Sequence, residues 1–309
     1  MSRRPKRRHY RDVHGIVLLD KPVGLSSNAV LQKLIHLFKA RKGGHTGALD
    51  PLASGMLPVC LGEATKVSSY LLDADKHYRV TARLGIGTAT GDAEGEIIEQ
   101  LPVPVFDINS LQKTLVAFTG EILQVPPMYS ALKRDGKPLY ELARAGKTVE
   151  RQPRPVSIRH ISVLDFDETG FTLEVSCSKG TYIRTLVEDI AKAMGTVAHV
   201  ETLRRTHVDP YESREMITFE HLERFAEEGL DRLDACLMPM DQALVRWPSI
   251  RLDQSQSRRI VHGAILDWSE DCDPVQCRMY SDQGAFLGLG EILDKRLYPR
   301  RLLAQTSEG

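Results

Sequence analysis

The chain has 309 residues, with 41 Lys+Arg against 41 Asp+Glu and a formal net charge of zero. Its 42 % apolar and 27 % charged residues exclude a predominantly disordered chain, and the lack of any run of about 18 apolar residues excludes a membrane-spanning helix. The length exceeds what one core usually requires, so a large and a small domain are expected.

In chain order, MSRRPKRRHYR is basic but leads into no apolar segment of signal-peptide length, so residues 1–12 read as a flexible basic tail. Gly15 to Leu19 is a short apolar run, a strand ending in the turn Asp20-Lys21-Pro22. Ser26 and Ser27 can cap a helix whose Val30, Leu31, Leu34, Ile35 and Phe38 recur at helical spacing. Tyr78, Val80, Ala82 and Leu84 alternate with polar residues as a half-buried strand. Leu111, Leu115 and Phe118 mark a second helix, and Gln124 to Pro155, rich in Pro, Gly and basic residues, reads as a long excursion from the core. Phe171, Leu173, Val175 and Cys177 form another strand; a helix with Leu186, Ile190 and Met194 follows, and Gly195 sits where its C-terminal cap belongs. After Trp247-Pro248, Val275-Cys277-Met279 and Ala285-Leu287-Leu289 alternate around a turn at Ser281 to Gly284, a hairpin in a small β-rich domain over 248–309.

Charge is blocked along this order. Met1 to Gly47 carries 11 Lys or Arg and 2 acidic residues, and Lys133 to His160 carries 8 and 3. Gly91 to Glu121 has 1 basic and 6 acidic residues, and Glu201 to Arg246 has 6 and 11. A neutral chain so divided can present a basic stripe to a nucleic acid, although any single block also reads as a solvated face.

Five scattered cysteines fit a reducing, cytoplasmic setting; Cys272 and Cys277 are close, but no second Cys or His pair completes a zinc site. Gly43 to Gly55 holds four glycines and Pro51, and reads as a loop rather than a helix or regular strand. Asp50 in that loop is either a helix cap or a positioned carboxylate. Lys42 to Gly47 lacks the order of a phosphate loop. Gly85-Ile86-Gly87-Thr88-Ala89-Thr90-Gly91 leads into Asp92, Glu94 and Glu96, which would repel a pyrophosphate, so no nucleotide cofactor is expected. Tyr182 and Arg184 lie between a strand and a helix, and an extended junction would place them on one side. Arg184 is a suitable partner for a carboxylate, though each of these residues taken singly also fits a core or surface role.

Several strings in one order carry a resemblance: Leu19 to Gly24, His45-Thr46-Gly47-Ala48-Leu49-Asp50-Pro51-Leu52-Ala53, Leu61 to Lys66, the Tyr78 strand, Met128 to Lys133, Ser178 to Leu186 and Leu203-Arg204-Arg205. Over about residues 10 to 300 the chain resembles the TruB family of tRNA pseudouridine synthases, and Phe286 to Glu291 resembles the PUA-like RNA-binding domain of its bacterial members. The Arg-rich tail lies outside the family pattern, and Ala89 and Gly91 stand where relatives are often more polar. The resemblance implies an α+β fold: a catalytic domain over 13–247 on a mixed, mainly antiparallel sheet with flanking helices, and the PUA-like domain over 248–309. It implies isomerisation of uridine 55 in the tRNA T-loop, with Asp50 acting at the ribose–base linkage and Arg184 keeping its pKa low. Tyr78 would stack on the flipped uracil, His45 would stand near the vacated gap, and Tyr182 and Leu203 would wall the pocket. Lys21 and Lys133 would contact phosphates. The conversion is redox-neutral, so no cofactor or metal is expected; the partner is the tRNA T-stem-loop, and a monomer suffices. An RNA-binding or tRNA-folding protein with secondary synthase activity is the alternative.

Overall fold

The structure, a computed structural model, describes residues 10–212, 214–269 and 273–303. Its first strands are β1 (Gly15–Lys21), β2 (Gly43–His45), β3 (Ser54–Leu61), β4 (Lys76–Leu84), β5 (Ile86–Thr88) and β6 (Ile97–Gln100). There follow β7 (Gly120–Gln124), β8 (Lys133–Arg134), β9 (Lys137–Pro138), β10 (Arg154–Asp167), β11 (Gly170–Cys177) and β12 (Ala198–Val208). Eight of these build one sheet in the order β1-β3-β12-β4-β11-β10-β7, with β2 also paired to β3. Only β3 and β12 run parallel within it; the other pairings are antiparallel.

Strand β1 shows why the sheet is buried on both sides. Val17 and Leu19 face the main core with Val80, Leu173 and Leu186. Ile16 and Leu18 face a second core with Met56, Leu71 and Tyr211, as a side-chain period of two requires. The helix Ser27–Phe38 starts at Ser26, whose Oγ accepts from the Ala29 amide at 3.2 Å, and it buries Val30, Leu31, Leu34 and Phe38. The next helix of the reading is shorter than its apolar spacing suggests: it spans Ile108–Val116, and Phe118 packs on the core from beyond its end. The excursion after β7 carries the small β8–β9 hairpin and a helix at Leu139–Arg144.

The last strands are β13 (Ser249–Leu252), β14 (Leu266–Asp267), β15 (Val275–Ser281), β16 (Phe286–Leu293) and β17 (Arg296–Leu302), in a second sheet ordered β13-β15-β16-β17-β14. Leu252, Ile260, Cys277, Met279 and Leu297 form its own core. The α+β class with a mainly antiparallel sheet and a separate β-rich unit is therefore as expected. Of the expected flexible tail, residues 1–9 lie outside the described residues, while Arg11 is anchored: its amide donates to Lys39 O at 2.7 Å and its guanidinium pairs with Asp234. Cys272 also lies outside the described residues. Among the described residues, no helix is long and apolar enough to cross a membrane.

Candidate active site

The glycine-rich segment is not wholly a loop. Gly43 to His45 form β2 against Leu61 to Val59 of β3, because backbone pairing requires no side chain and Gly43 fits closely beside Leu61 and Ile35. Beyond it the chain turns across the sheet and is held from several sides. Ser27, one residue into its helix, exchanges two hydrogen bonds with Leu49: its Oγ donates to Leu49 O at 2.9 Å and accepts from Leu49 N at 2.7 Å. The Thr46 amide donates to Pro58 O at 3.1 Å, and the Gly24 amide donates to Pro51 O at 2.8 Å. No helix follows Asp50, whose backbone carbonyl accepts from Ala53 N at 3.1 Å. The helix-cap reading of Asp50 is thus overturned, and its carboxylate is positioned instead.

That carboxylate faces Arg184. Arg184 Nε lies 2.9 Å from Asp50 Oδ2, with the Asp50 side chain 41 % exposed and that of Arg184 only 5 %. The arginine sits in the first turn of the helix Ile183–Ala193, while Tyr182 at its N-cap is extended, so the junction turns from extended to helical between the two residues. Its remaining donors are also engaged. Nη1 donates to Thr90 O at 2.6 Å and lies 3.7 Å from Asp92 Oδ2, and Nη2 donates to Tyr129 O at 2.7 Å. A guanidinium held by carbonyls and two carboxylates has one orientation, which fixes Asp50 in turn.

Arg184 was expected to keep the Asp50 pKa low. It pulls in that direction, but the carboxyl rises above the usual 3.8 because burial outweighs the pair, and Asp92 adds to the rise while Lys21 opposes it.

Tyr78 is buried on β4 opposite Arg205 of β12; burial raises the phenol pKa, against the pull of the Arg205 charge. Leu203, opposite Val80 and 7 % exposed, lies one turn of the pleat away on β12. Tyr182 is half-buried, its phenol raised first by burial, with Asp50 adding to the shift. His45 on β2 is half-buried; burial and then Arg205 hold it below 6.5, and its Nδ1 is buried without a hydrogen-bond partner.

The two lysines part company. Lys133 is exposed on β8, as a phosphate contact requires. Lys21 is fully buried, and its Nζ donates to Pro22 O at 2.9 Å, Ala53 O at 2.6 Å and Pro51 O at 3.4 Å. Burial lowers its pKa to about 8. Lys21 therefore ties down the Asp50 loop, a correction to its expected place on an RNA-facing surface.

Residues 35–183 match the TruB family pseudouridylate synthase N-terminal domain, 184–245 the tRNA pseudouridylate synthase B C-terminal domain and 248–303 the pseudouridine synthase II TruB C-terminal domain. A protein of Actinobacillus succinogenes named tRNA pseudouridine synthase B is 49 % identical over 99 % of each chain. The chain belongs to the TruB family. A second protein of that name, from Stutzerimonas stutzeri, is 51 % identical over 95 % of this chain and 96 % of its own. Among solved structures, a Cbf5-Nop10-Gar1 complex aligns with TM-score 0.69 and 26 % identity, covering 90 % of this chain and 78 % of that one. An H/ACA RNP bound to a substrate RNA containing 2'-deoxyuridine shares the fold, with TM-score 0.73 at 23 % identity over 95 % and 86 % of the two chains.

For this TruB-family chain, sequence reading gave no role to Asp92, Thr90, Tyr129 or Arg205. Asp92 had a signal: it is the first acid after Gly91, whose positive φ of 73° turns the chain there. Arg205 stands beside Arg204, and the period of two sends them apart. Arg204 pairs with Asp20 at 2.8 Å, while Arg205 is 1 % exposed and donates to Met56 O at 2.7 Å and Gly47 O at 3.2 Å.

Proposed function

We propose that this chain converts uridine to pseudouridine at position 55 in the T-loop of tRNA, with Asp50 acting at the ribose–base linkage. The observation that carries the reading is the Asp50–Arg184 pair, a partly exposed carboxylate held by a buried guanidinium. The reaction breaks the C1′–N1 bond, turns the base and rejoins it through C5, with no net oxidation. An ionised carboxylate serves as nucleophile or assists the departure of the base, and a buried arginine that cannot swing away keeps it aimed.

The target base must first leave its stack, at a cost of a few kcal/mol that is offset by stacking in the pocket. Tyr78 offers the ring for the flipped uracil, His45 stands near the vacated gap, and Tyr182 and Leu203 close the walls. Because burial raises its pKa, the Tyr78 phenol is suited to stacking rather than to acting as a free base. The basic excursion with Lys133 lies along the path of the RNA backbone, and its Tyr129 carbonyl touches Arg184, linking RNA contact to the catalytic pair. The protein works as a monomer in the cytoplasm, where Cys60 and Cys177 stay as buried free thiols.

The test is Asp50→Asn, assayed by tritium release from [5-³H]uridine in the T-loop. The variant is expected to bind tRNA and release no tritium; substantial turnover would remove Asp50 from its role, and release from an unmodified T-loop mutant lacking uridine 55 would remove the target.

A further inference from the structure

His77 and His207 are register partners on β4 and β12, with rings stacked at 3.6 Å between centroids and planes 27° apart. The strand irregularity between Arg205 and His207 creates this pairing; in an unbroken register Thr206 would face His77. Asp209 follows directly after β12. Its amide donates to Asp75 O at 3.0 Å, and its Oδ2 accepts from Arg246 Nη1 at 3.0 Å. Its other oxygen, Oδ1, and His207 Nε2 are both buried with no hydrogen-bond partner. One ligand atom from each of His77, His207 and Asp209 lies within 4.8 Å of the other two. Ser176 Oγ, 3.2 Å from His77 Nε2, fixes that ring from the neighbouring strand.

A buried polar atom without a partner is destabilising, and two of them converge on one three-residue cluster. We propose that His77, His207 and Asp209 form a binding site for a divalent transition-metal ion of the zinc class, on the sheet face turned away from Tyr78. Two imidazoles and a carboxylate are a donor set that such ions accept, with water completing the coordination. An ion at the centre of a triangle with 4.8 Å edges is at most about 2.8 Å from each corner, against about 2.0–2.2 Å in a formed site, so each ligand closes by less than about 1 Å. The two rings, 27° apart, turn so that their in-plane nitrogen lone pairs converge on the ion. The bound ion joins β4, β12 and the turn at Asp209, and through Arg246 it reaches the segment that enters the C-terminal sheet. It is a structural site, separate from the uridine chemistry proposed for Asp50.

The test titrates the full chain, freed of metal with a chelator, with Co2+ and then Zn2+. One equivalent is expected to bind, with visible Co2+ absorption bands and no near-ultraviolet thiolate band, which separates this site from the cysteines. At a hundredfold excess over Kd the metal should raise Tm by about 5 °C. His207→Gln and His77→Gln should each weaken binding at least tenfold while leaving the metal-free Tm near that of the parent. Absence of binding by the parent chain, a thiolate band, or undiminished affinity in both folded variants would overturn the site; the cobalt spectrum of the parent decides even where a variant fails to fold.

Discussion

Arg184 Nε lies 2.9 Å from Asp50 Oδ2, yet the carboxyl titrates above the usual carboxylate value because burial outweighs the pair. The same guanidinium also serves Asp92, so two carboxylates compete for one buried cation.

The reaction requires ionised Asp50, so kcat/KM should fall as pH drops through a pKa above 3.8. Asp92 raises that pKa and Arg184 lowers it. Asp92→Asn should therefore move the acid limb to lower pH, and Arg184→Met should move it to higher pH. Single-turnover rates on T-loop RNA across pH 4–8 measure both shifts, and displacement in the opposite sense would break the assignment of Asp50 as the titrating group.

Lys133 and Lys21 should separate in a salt titration. Loss of one exposed phosphate contact in Lys133→Ala should reduce the slope of log affinity against log salt by about 0.7–0.9. Lys21→Met takes the lysine donor from the Pro22 and Ala53 carbonyls, while Pro51 O keeps the Gly24 amide, so it should lower stability by about 1–3 kcal/mol and leave the slope unchanged. Filter binding with tRNA and urea denaturation read the two effects.

Gly55, the second residue of β3, has φ 100°, and a Cβ there would overlap the carbonyl oxygen of Arg205. Gly55→Ala should cost about 2–4 kcal/mol and loosen the parallel β3–β12 pairing that carries Arg205 under the Asp50 loop. Chemical denaturation gives the loss; a midpoint equal to that of the parent would contradict the close approach.

Glu188 lies one helical turn beyond Arg184, and burial pushes its pKa up from 4.5 to about 7, against the pull of Arg184. The folded state thus binds the proton more tightly than the unfolded state, and stability is lost as pH rises from about 4.5 to about 7. Glu188→Gln should accordingly stabilise the protein above pH 7 and leave it unchanged below pH 4.5. Melting temperatures of both proteins across pH 4–9 measure the difference.

Local signals in the chain were strong where local physics decides. Ser26 caps its helix, the alternation around Tyr78 is a strand, and the hairpin after Trp247 pairs as its apolar spacing indicates. Gly195 adopts a positive φ of 84° just past its helix. The motif containing Asp50 was also legible, because glycines, a proline and a carboxylate in that order match a family pattern. What local reading missed were pairings over long separations: β2 on β3, the three carbonyls on Lys21, and Asp92 and Tyr129 on Arg184. Glycine spacing favours a loop whether or not a partner strand lies alongside, and a lysine beside a turn looks solvated until the turn folds over it.

The sequence alone determined the local strands and helix caps through periodicity and, through the family resemblance carried by motif order, the α+β class and the candidate catalytic carboxylate, because these are properties of neighbours along the chain. The tertiary structure decided which cations are buried, the direction of the Asp50 pKa and the meeting of His77, His207 and Asp209. Desolvation and Coulomb interaction depend on distances in space, and the sheet brings residues far apart in sequence within a few ångströms of one another.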